Sequence, residues 1–462
     1  MTFKKASMAL AITATLLTGC FESSEDEVIS TDVRFGVYNL SFDRATFQDL
    51  VSEMTLTQAE QNLLIEGWKS KALSAVEKKR AERVMQIRNV AAVIQVNRPD
   101  VLMMAEFNND GEARDNSAIQ GFQDNYLSIP QSLNSIDGGQ LREPITYPHF
   151  ANYATNTGLM SGFDLDRKGG AGSGPDDAWG FGNYHGQYAF ALMSRYPIDK
   201  GNTRTFQNFK WKDMPDAKNP VIVDCKKPEK VEEPALVCGA EWYDQEAWEQ
   251  FPLSSKNHVD APILVPTGYG TKVVHLLMSH PTPPIFNNAA NHNYLHNSAE
   301  LKFWKDYISG KGSYIYDDSG VKGGLGSNES FVILGDLNAD PEVGDGDTAV
   351  IKDILSSQYV NQDASFGRYM PSSQGAPECL GNGECRAENQ ATPYPDAPTS
   401  TSGLRLDYVI PSSDLNVYDS GVYWPSTVEN GRLLMNDKRI GKYGNGKDIS
   451  SDHRLVWVNA RL

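Results

Sequence analysis

The stretch Phe331-Val332-Ile333-Leu334-Gly335-Asp336-Leu337-Asn338-Ala339-Asp340-Pro341 constrains this chain more than any other. Four apolar residues in a row, two of them β-branched, predict a short strand buried on both faces. Gly335 ends the run. Asp336 and Asn338 follow two positions apart, so in an extended chain their side chains leave the same face. A carboxylate and an amide fixed at the end of a rigid strand suit one job well. One orients a water or binds a cation, and the other hydrogen-bonds a phosphate oxygen. A polar turn after a core strand uses the same residue types, so the rest of the chain must decide.

The same arrangement recurs along the sequence. Val33–Leu40 alternates and predicts a strand ending near Asn39. Thr57 and Glu60 have capping-box spacing and open a helix to about Lys71. Leu73, Val76, Val84, Ile87, Val90 and Ile94 mark a second helix, broken at Arg98-Pro99-Asp100. Val101–Ala105 is then a buried strand with Glu106 at its end. Strand, helix, strand is an α/β signature, and ligands in such sheets collect at the strand ends. Further strands are predicted over 187–193, closed by Ser194-Arg195-Tyr196-Pro197, over 271–278, running into His280, and over 405–410, which holds Asp407. A last one follows Asp452-His453. Residues 298–309 predict a helix whose Phe303, Trp304, Tyr307 and Ile308 face a core, with Gly310 as its stop.

Polar groups at the ends of apolar strands are therefore Asn39, Glu106, His280, Asp336 with Asn338, Asp407, and Asp452 with His453. Carboxylates bind hard cations such as Mg²⁺ or Mn²⁺, with Ca²⁺ an alternative. Histidines move protons or hydrogen-bond a phosphate, and amides orient both. His149, His185, His258, His275, His292 and His296 are assigned to surface or packing. His292, close behind the His280 loop, is the best candidate among them for a substrate contact. Asp345 and Asp347 read as an acidic turn, with Ca²⁺ the alternative. The run Gly169–Pro175 has no phosphate-cradle pattern and receives no cofactor role.

The first nineteen residues read as a signal rather than as fold: Lys4 and Lys5, then an apolar run from Ala6 to Leu17 that is too short to span a bilayer. Leu17-Thr18-Gly19-Cys20 resembles the bacterial lipoprotein signal, which implies lipid on Cys20. Phe21, not Asp, follows it, which implies the outer membrane of a Gram-negative cell, on its periplasmic or surface face. An acidic tether over 20–31 shows no periodicity. With Cys20 lipidated, four cysteines remain. Cys225 and Cys238 lie thirteen apart and Cys379 and Cys385 six apart, predicting two local disulfides in an oxidising compartment. C-x-x-C is absent, which argues against zinc. The 42 basic and 59 acidic residues give a net charge of -17. A broad grip on nucleic acid needs a basic face, so a long-footprint nuclease is disfavoured and a small phosphate ester is not.

Taken together, Val37-Tyr38-Asn39, Met104-Ala105-Glu106, Ala191–Pro197, Leu334–Asn338, Arg405–Val409 and Ser450-Ser451-Asp452-His453 resemble the endonuclease/exonuclease/phosphatase superfamily, the deoxyribonuclease-I-like fold. The pieces occur in the family's order and cover nearly the whole mature chain. The resemblance implies a four-layer α/β/β/α sandwich, two mixed β-sheets flanked by helices. It implies one domain over 32–462, with excursions near 107–185, 203–262 and 365–403. It implies Glu106 as the main metal ligand with Asn39 beside it and Asp452 on the metal side. Asp336 would handle the attacking water, Asn338 and His453 the phosphate, and Asp407 would orient a histidine. His280 would assist the phosphate and leaving group. Pro281-Thr282-Pro283-Pro284 departs from the best-known nucleases. The expectation is a monomeric, lipid-anchored, metal-dependent phosphoesterase on a small extracellular or periplasmic substrate. A secreted nuclease on DNA or RNA is the first alternative, and an inactive binding lipoprotein the second.

Overall fold

The computed structural model describes residues 30–172, 174–226, 236–386, 389–440 and 446–462. The signal and Cys20 lie outside the described residues. The chain opens with β1 (Asp32–Phe42), α1 (Phe47–Met54), α2 (Gln58–Lys69), α3 (Ala75–Asn97) and β2 (Val101–Phe107). Next come α4 (Ser117–Phe122), β3 (His149–Asn152), β4 (Ala191–Ser194), β5 (Arg204–Thr205), α5 (Gln245–Gln250), β6 (His258–Thr267) and β7 (Gly270–Ser279). The rest is α6 (His292–Ile308), β8 (Ser330–Asp336), α7 (Thr348–Leu355), α8 (Gln362–Ser365), α9 (Gly375–Asn382), β9 (Asp407–Pro411), β10 (Asn416–Val422) and β11 (Val456–Arg461).

Two mixed sheets form. One has six strands in the order β10-β11-β1-β2-β4-β3, the other five in the order β5-β6-β7-β8-β9. β1 runs parallel to β2, and β7 parallel to β8, while the remaining ladders are antiparallel. Strand alternation builds the layers. Val332 and Leu334 of β8, with Leu276 and Met278 of β7, join Phe35 and Val37 of β1 in the core between the sheets. Phe331 and Ile333, with Leu277, face the other way into a second core with Phe303, Trp304 and Tyr307 of α6. Every residue of β8 is buried for this reason. Val90, Val93 and Ile94 of α3 cover the outer face of the six-stranded sheet beside Leu102 and Met104. The result is the expected α/β/β/α sandwich. No helix among the described residues is long and apolar enough to cross a membrane.

The Thr57–Glu60 capping box is present at the start of α2. α1, which the sequence reading did not find, starts on the box Thr46–Asp49. α3 stops at Arg98, whose φ of 48° is left-handed, just ahead of Pro99. Both disulfides are local, Cys225–Cys238 and Cys379–Cys385. Three expectations need correction. The excursion near 203–262 ends earlier, because His258–Thr267 is β6; Pro262 lies past the residues that pair with β5, close to an edge where a strand tolerates proline. The strand expected over 187–193 shrinks to Ala191–Ser194, because Tyr188 takes φ +60°. α6 begins at His292, six residues before the predicted start at 298.

Candidate active site

The site sits where the ends of the two sheets meet. From the five-stranded sheet come His280 just after β7, Asp336 at the end of β8, Asn338 two residues on, and Asp407 at the start of β9. From the six-stranded sheet come Asn39 in β1, Glu106 in β2, and Asp452 and His453 just ahead of β11. Two hydrogen bonds tie the sets together. Asn39 Nδ2 donates to Asp336 Oδ2 at 3.0 Å, and His453 Nδ1 lies 2.8 Å from Asp407 Oδ2.

Around Asp336 the groups are closely fitted. Its Oδ1 accepts from the Asn338 backbone N–H at 3.1 Å, and His280 Nε2 lies 3.5 Å from its Oδ2. Asn338 Nδ2 turns away to donate to the Pro281 carbonyl at 3.1 Å. Thr399 Oγ1 donates to Asp407 Oδ2 at 2.7 Å, so the carboxylate that holds His453 is itself held. Burial pushes Asp336 up to about 6, against the pull of His453 and of the Asn39 amide. Burial pushes His453 down, but Asp407 and Asp336 outweigh it and hold the imidazole well above its ordinary range. His280 goes the other way, held well below by burial and by the charges of Lys256 and His453. One imidazolium and one neutral imidazole therefore flank one carboxylate, and with Nδ1 committed to Asp407, the free donor of His453 is Nε2.

Beside this lies an acidic hollow. Glu106 accepts no hydrogen bond among the described residues, and burial, with Asp43 and Asp452 adding to it, lifts it to about 7. Asp452 is held below its usual range: burial raises it, but His453, a 2.7 Å hydrogen bond from Ser41 Oγ and Lys447 outweigh that. Lys447 Nζ pairs with Asp43 Oδ1 at 2.9 Å. Backbone geometry helps to aim these groups. Ser41, Glu106 and Asn338 have φ of 52°, 53° and 53°, in the left-handed region that costs about 1–3 kcal/mol for non-glycine residues. The β1–β2 register shifts between Asn39 and Phe42, as a bulge does when it redirects a strand end. Behind them Gln86 Nε2 donates to the carbonyls of Ser41, Lys447 and Ser450, tying the end of β1 to the segment that carries Asp452 and His453.

These residues fit a divalent cation. Glu106 carries the charge effects of Asp43 and Asp452 with the Lys447 ammonium as counter-charge, and among the described residues it has no hydrogen bond to balance its burial. That is a hard oxygen donor set short of positive charge. Glu106 and Asp452 would hold the ion. Asn39, the third expected ligand, accepts from Ser41 N–H at 3.1 Å and spends its amide nitrogen on Asp336, so its oxygen borders the hollow while its nitrogen belongs to the Asp336 network. Asp336, Asp407 and His453 also converge closely enough to ligate. There the His453–Asp407 hydrogen bond already occupies Nδ1, so that cluster is a proton-handling set.

Asn39, Glu106, His280, Asp336, Asn338, Asp407, Asp452 and His453, taken from the sequence as site residues, thus lie at the meeting of the two sheets. Those missed are Asp43, Lys447, Lys256, Ser41 and Thr399. Only Asp43, four residues past Asn39, had a signal, as one more acid at a strand end. His292 is not at the site: it packs against Trp211, Tyr243 and Phe251, with Nδ1 2.9 Å from Tyr243 Oη, because the residues after the His280 loop enter α6 and its aromatic core. Asp347 caps α7, accepting from Ala349 N–H at 3.1 Å, and so serves the helix. Arg195 pairs with Asp100 at 2.9 Å.

The sequence pattern of the Endonuclease/Exonuclease/phosphatase family matches residues 62–453. No curated protein sequence matches this chain. Similar solved structures include an endonuclease/exonuclease/phosphatase from Beutenbergia cavernae, at 15% identity and TM-score 0.39, covering 93% of this chain and 72% of that one. Beta toxin from Staphylococcus aureus is 14% identical with TM-score 0.37, covering 92% and 99%. The human Nocturnin catalytic domain is 11% identical with TM-score 0.36, covering 93% and 96%.

Proposed function

The chain belongs to the endonuclease/exonuclease/phosphatase family and is a divalent-metal-dependent phosphoesterase; from that premise we propose that it hydrolyses a small or compact phosphate ester outside the cytoplasm, held to the outer membrane through lipid on Cys20. The observation that carries the catalytic part is the joining of both sheets at Asp336. Asn39 fixes its Oδ2 from one side, and His280 and His453 flank it with opposite protonation preferences.

Asp336 takes the proton of the attacking water on a carboxylate oxygen. Its raised affinity for protons suits a base near neutral pH. His453, kept protonated by Asp407, donates from Nε2 to a phosphoryl oxygen. His280, neutral and 3.5 Å from Asp336, assists the phosphate beside the same carboxylate. Asn338 is held by its bond to the Pro281 carbonyl at the rim of the same pocket. When bound at Glu106 and Asp452, Mg²⁺ or Mn²⁺ supplies positive charge beside the phosphoryl oxygens.

The preference for a small ester rests on the net charge of -17, which disfavours a long polyanion. The test is a screen of the purified full chain against p-nitrophenyl phosphate, its bis-ester, inositol phosphates, nucleotides and plasmid DNA, with Mg²⁺, Mn²⁺, Ca²⁺ or chelator. Hydrolysis of a small ester ahead of DNA is expected, and DNA cleavage without it would establish the nuclease reading instead. For the anchor, Cys20→Ser should release soluble protein or leave precursor. An unacylated intact mass for the mature wild type would refute lipidation.

A further inference from the structure

We propose that Lys256 is a phosphoryl-binding residue of this site. Lys256 lies two residues before β6 and is only 6% exposed. Among the described residues its Nζ has one hydrogen-bond partner, the carbonyl of Pro281 at 3.3 Å, which is long for an N–H···O bond. An ammonium carries three donors, so two are left without a protein acceptor. No carboxylate among the described residues lies within the 4.0 Å of an ion pair. The strongest carboxylate field on Lys256 is that of Glu300, whose oxygens are already engaged. Oε1 accepts from the Ser255 N–H at 2.8 Å and the Ser255 hydroxyl at 3.0 Å, and Oε2 accepts from the Thr282 N–H at 2.6 Å.

A buried, unpaired ammonium is costly, and a fold keeps one only where something else compensates. The surroundings say what. Asn338 Nδ2 donates to the same Pro281 oxygen at 3.1 Å, so the lysine and the amide flank one carbonyl at the edge of the Asp336 pocket. The charge on Lys256 is felt by His280, and those of Asp336 and Glu106 are felt by Lys256. The anion that belongs in that pocket, on the reading that the chain is a phosphoesterase, is a phosphoryl group, whose oxygens accept the two spare donors. Lys256 is thus a contact to substrate, and its two spare donors are taken up when substrate is bound.

Lys256→Met keeps length and burial but removes the charge. In wild type, inorganic phosphate or orthovanadate with Mg²⁺ should raise the melting temperature, and in Lys256→Met that rise should vanish. The ligand-free melting temperature of the variant should equal or exceed wild type, because the uncompensated charge is gone. Its kcat/KM should fall about 10²–10³-fold, as when one oxyanion donor is removed. Lys256→Arg should retain part of the phosphate effect. A purely structural lysine gives the opposite pattern: lower ligand-free stability with the phosphate response intact, which overturns the proposal. Should Lys256→Met not fold, Lys256→Gln is read by the same measurements. The two readings fail separately. If wild type hydrolyses no ester yet shows a Lys256-dependent phosphate response, the activity falls and the anion site stands. If wild type hydrolyses and Lys256→Met matches it in turnover and phosphate response, Lys256 is dismissed and the activity stands.

Discussion

The two halves of the site are built on opposite principles. Around Asp336 the protein supplies its own partners: Asn39, the Asn338 N–H, His280, and His453 braced by Asp407 and Thr399. Around Glu106 it gathers acids, and among the described residues Glu106 itself has no hydrogen bond. The first half is largely partnered as folded, with His280 Nδ1 and Asp407 Oδ1 the buried atoms there that lack a hydrogen bond among the described residues, and it moves protons; the second is short of positive charge, which a cation supplies. A buried carboxylate short of positive charge is costly, so the acids around Glu106 mark where a cation from outside is favoured.

The largest expected effect tests that division directly. Asp336→Asn and His453→Ala should each lower kcat/KM by about 10²–10⁴-fold or more in a folded protein, and added metal should not restore them. Glu106→Gln should instead weaken Mg²⁺ binding, by about 10–100-fold, and raised Mg²⁺ or Mn²⁺ should recover part of the rate. Titration calorimetry beside steady-state kinetics separates the two. If Asp336→Asn keeps more than about a third of wild-type turnover while folded, the division is wrong.

A second way to sharpen it is pH. Glu106 and Asp336 have folded values of about 7 and about 6, above the ordinary 4.5 and 3.8. The folded state therefore holds these protons at pH values where the unfolded chain has released them. For these raised carboxylates, stability is greatest below the unfolded values and falls as pH rises towards 7. His453 is also raised, so the stability it contributes is present below its unfolded value and is lost only as pH passes its folded one. Through the two carboxylates the metal-free protein should lose stability between about pH 5 and 7. The buried neutral His258, His280, His292 and His296, all held below their ordinary range, act in the opposite sense, so the carboxylate contribution is read as the difference in melting temperature between wild type and Glu106→Gln. Mg²⁺ should flatten the slope, and Glu106→Gln should remove its upper part. A difference between wild type and Glu106→Gln that does not fall over that interval would contradict the raised affinity of Glu106 for its proton.

The same comparison explains what was legible. The proton-handling half lies on contiguous strings, Leu334–Asn338 and Ser450–His453, where a polar residue ends an apolar run, so the sequence displays it. The apolar runs of β7, β8 and α6 show an α/β pattern, and the sandwich itself follows from the resemblance that the motifs carry. The cation half shows Glu106 and Asp452 at strand ends as well, but the turns that aim them are not announced by residue type. Glu106 and Ser41 adopt positive φ although neither is glycine or asparagine. Lys447 and Lys256 reach the site from outside the predicted strand ends, and charged residues in such places usually read as surface. β6 was obscured by Pro262 and Pro266, which look like breakers but sit near an edge.

The smallest effect concerns Lys447. Its ammonium is 2.9 Å from Asp43, and burial, which would lower its pKa, is outweighed by Glu106, Asp43 and Asp452, so it stays charged. Positive charge at the hollow opposes entry of a divalent cation. The Lys447 side chain is 41% exposed, so solvent screens much of that opposition. Exposed pairs are worth about 0.2–1 kcal/mol, and Lys447→Met should therefore tighten Mg²⁺ binding by no more than about fivefold. Gln86 anchors this segment by the Lys447 backbone carbonyl, which the substitution leaves in place. Calorimetric titration of Mg²⁺ into the wild type and the variant gives the ratio. Unchanged or weaker binding in Lys447→Met would mean that the lysine does not compete with the cation, and the acidic hollow would then have to be balanced in some other way.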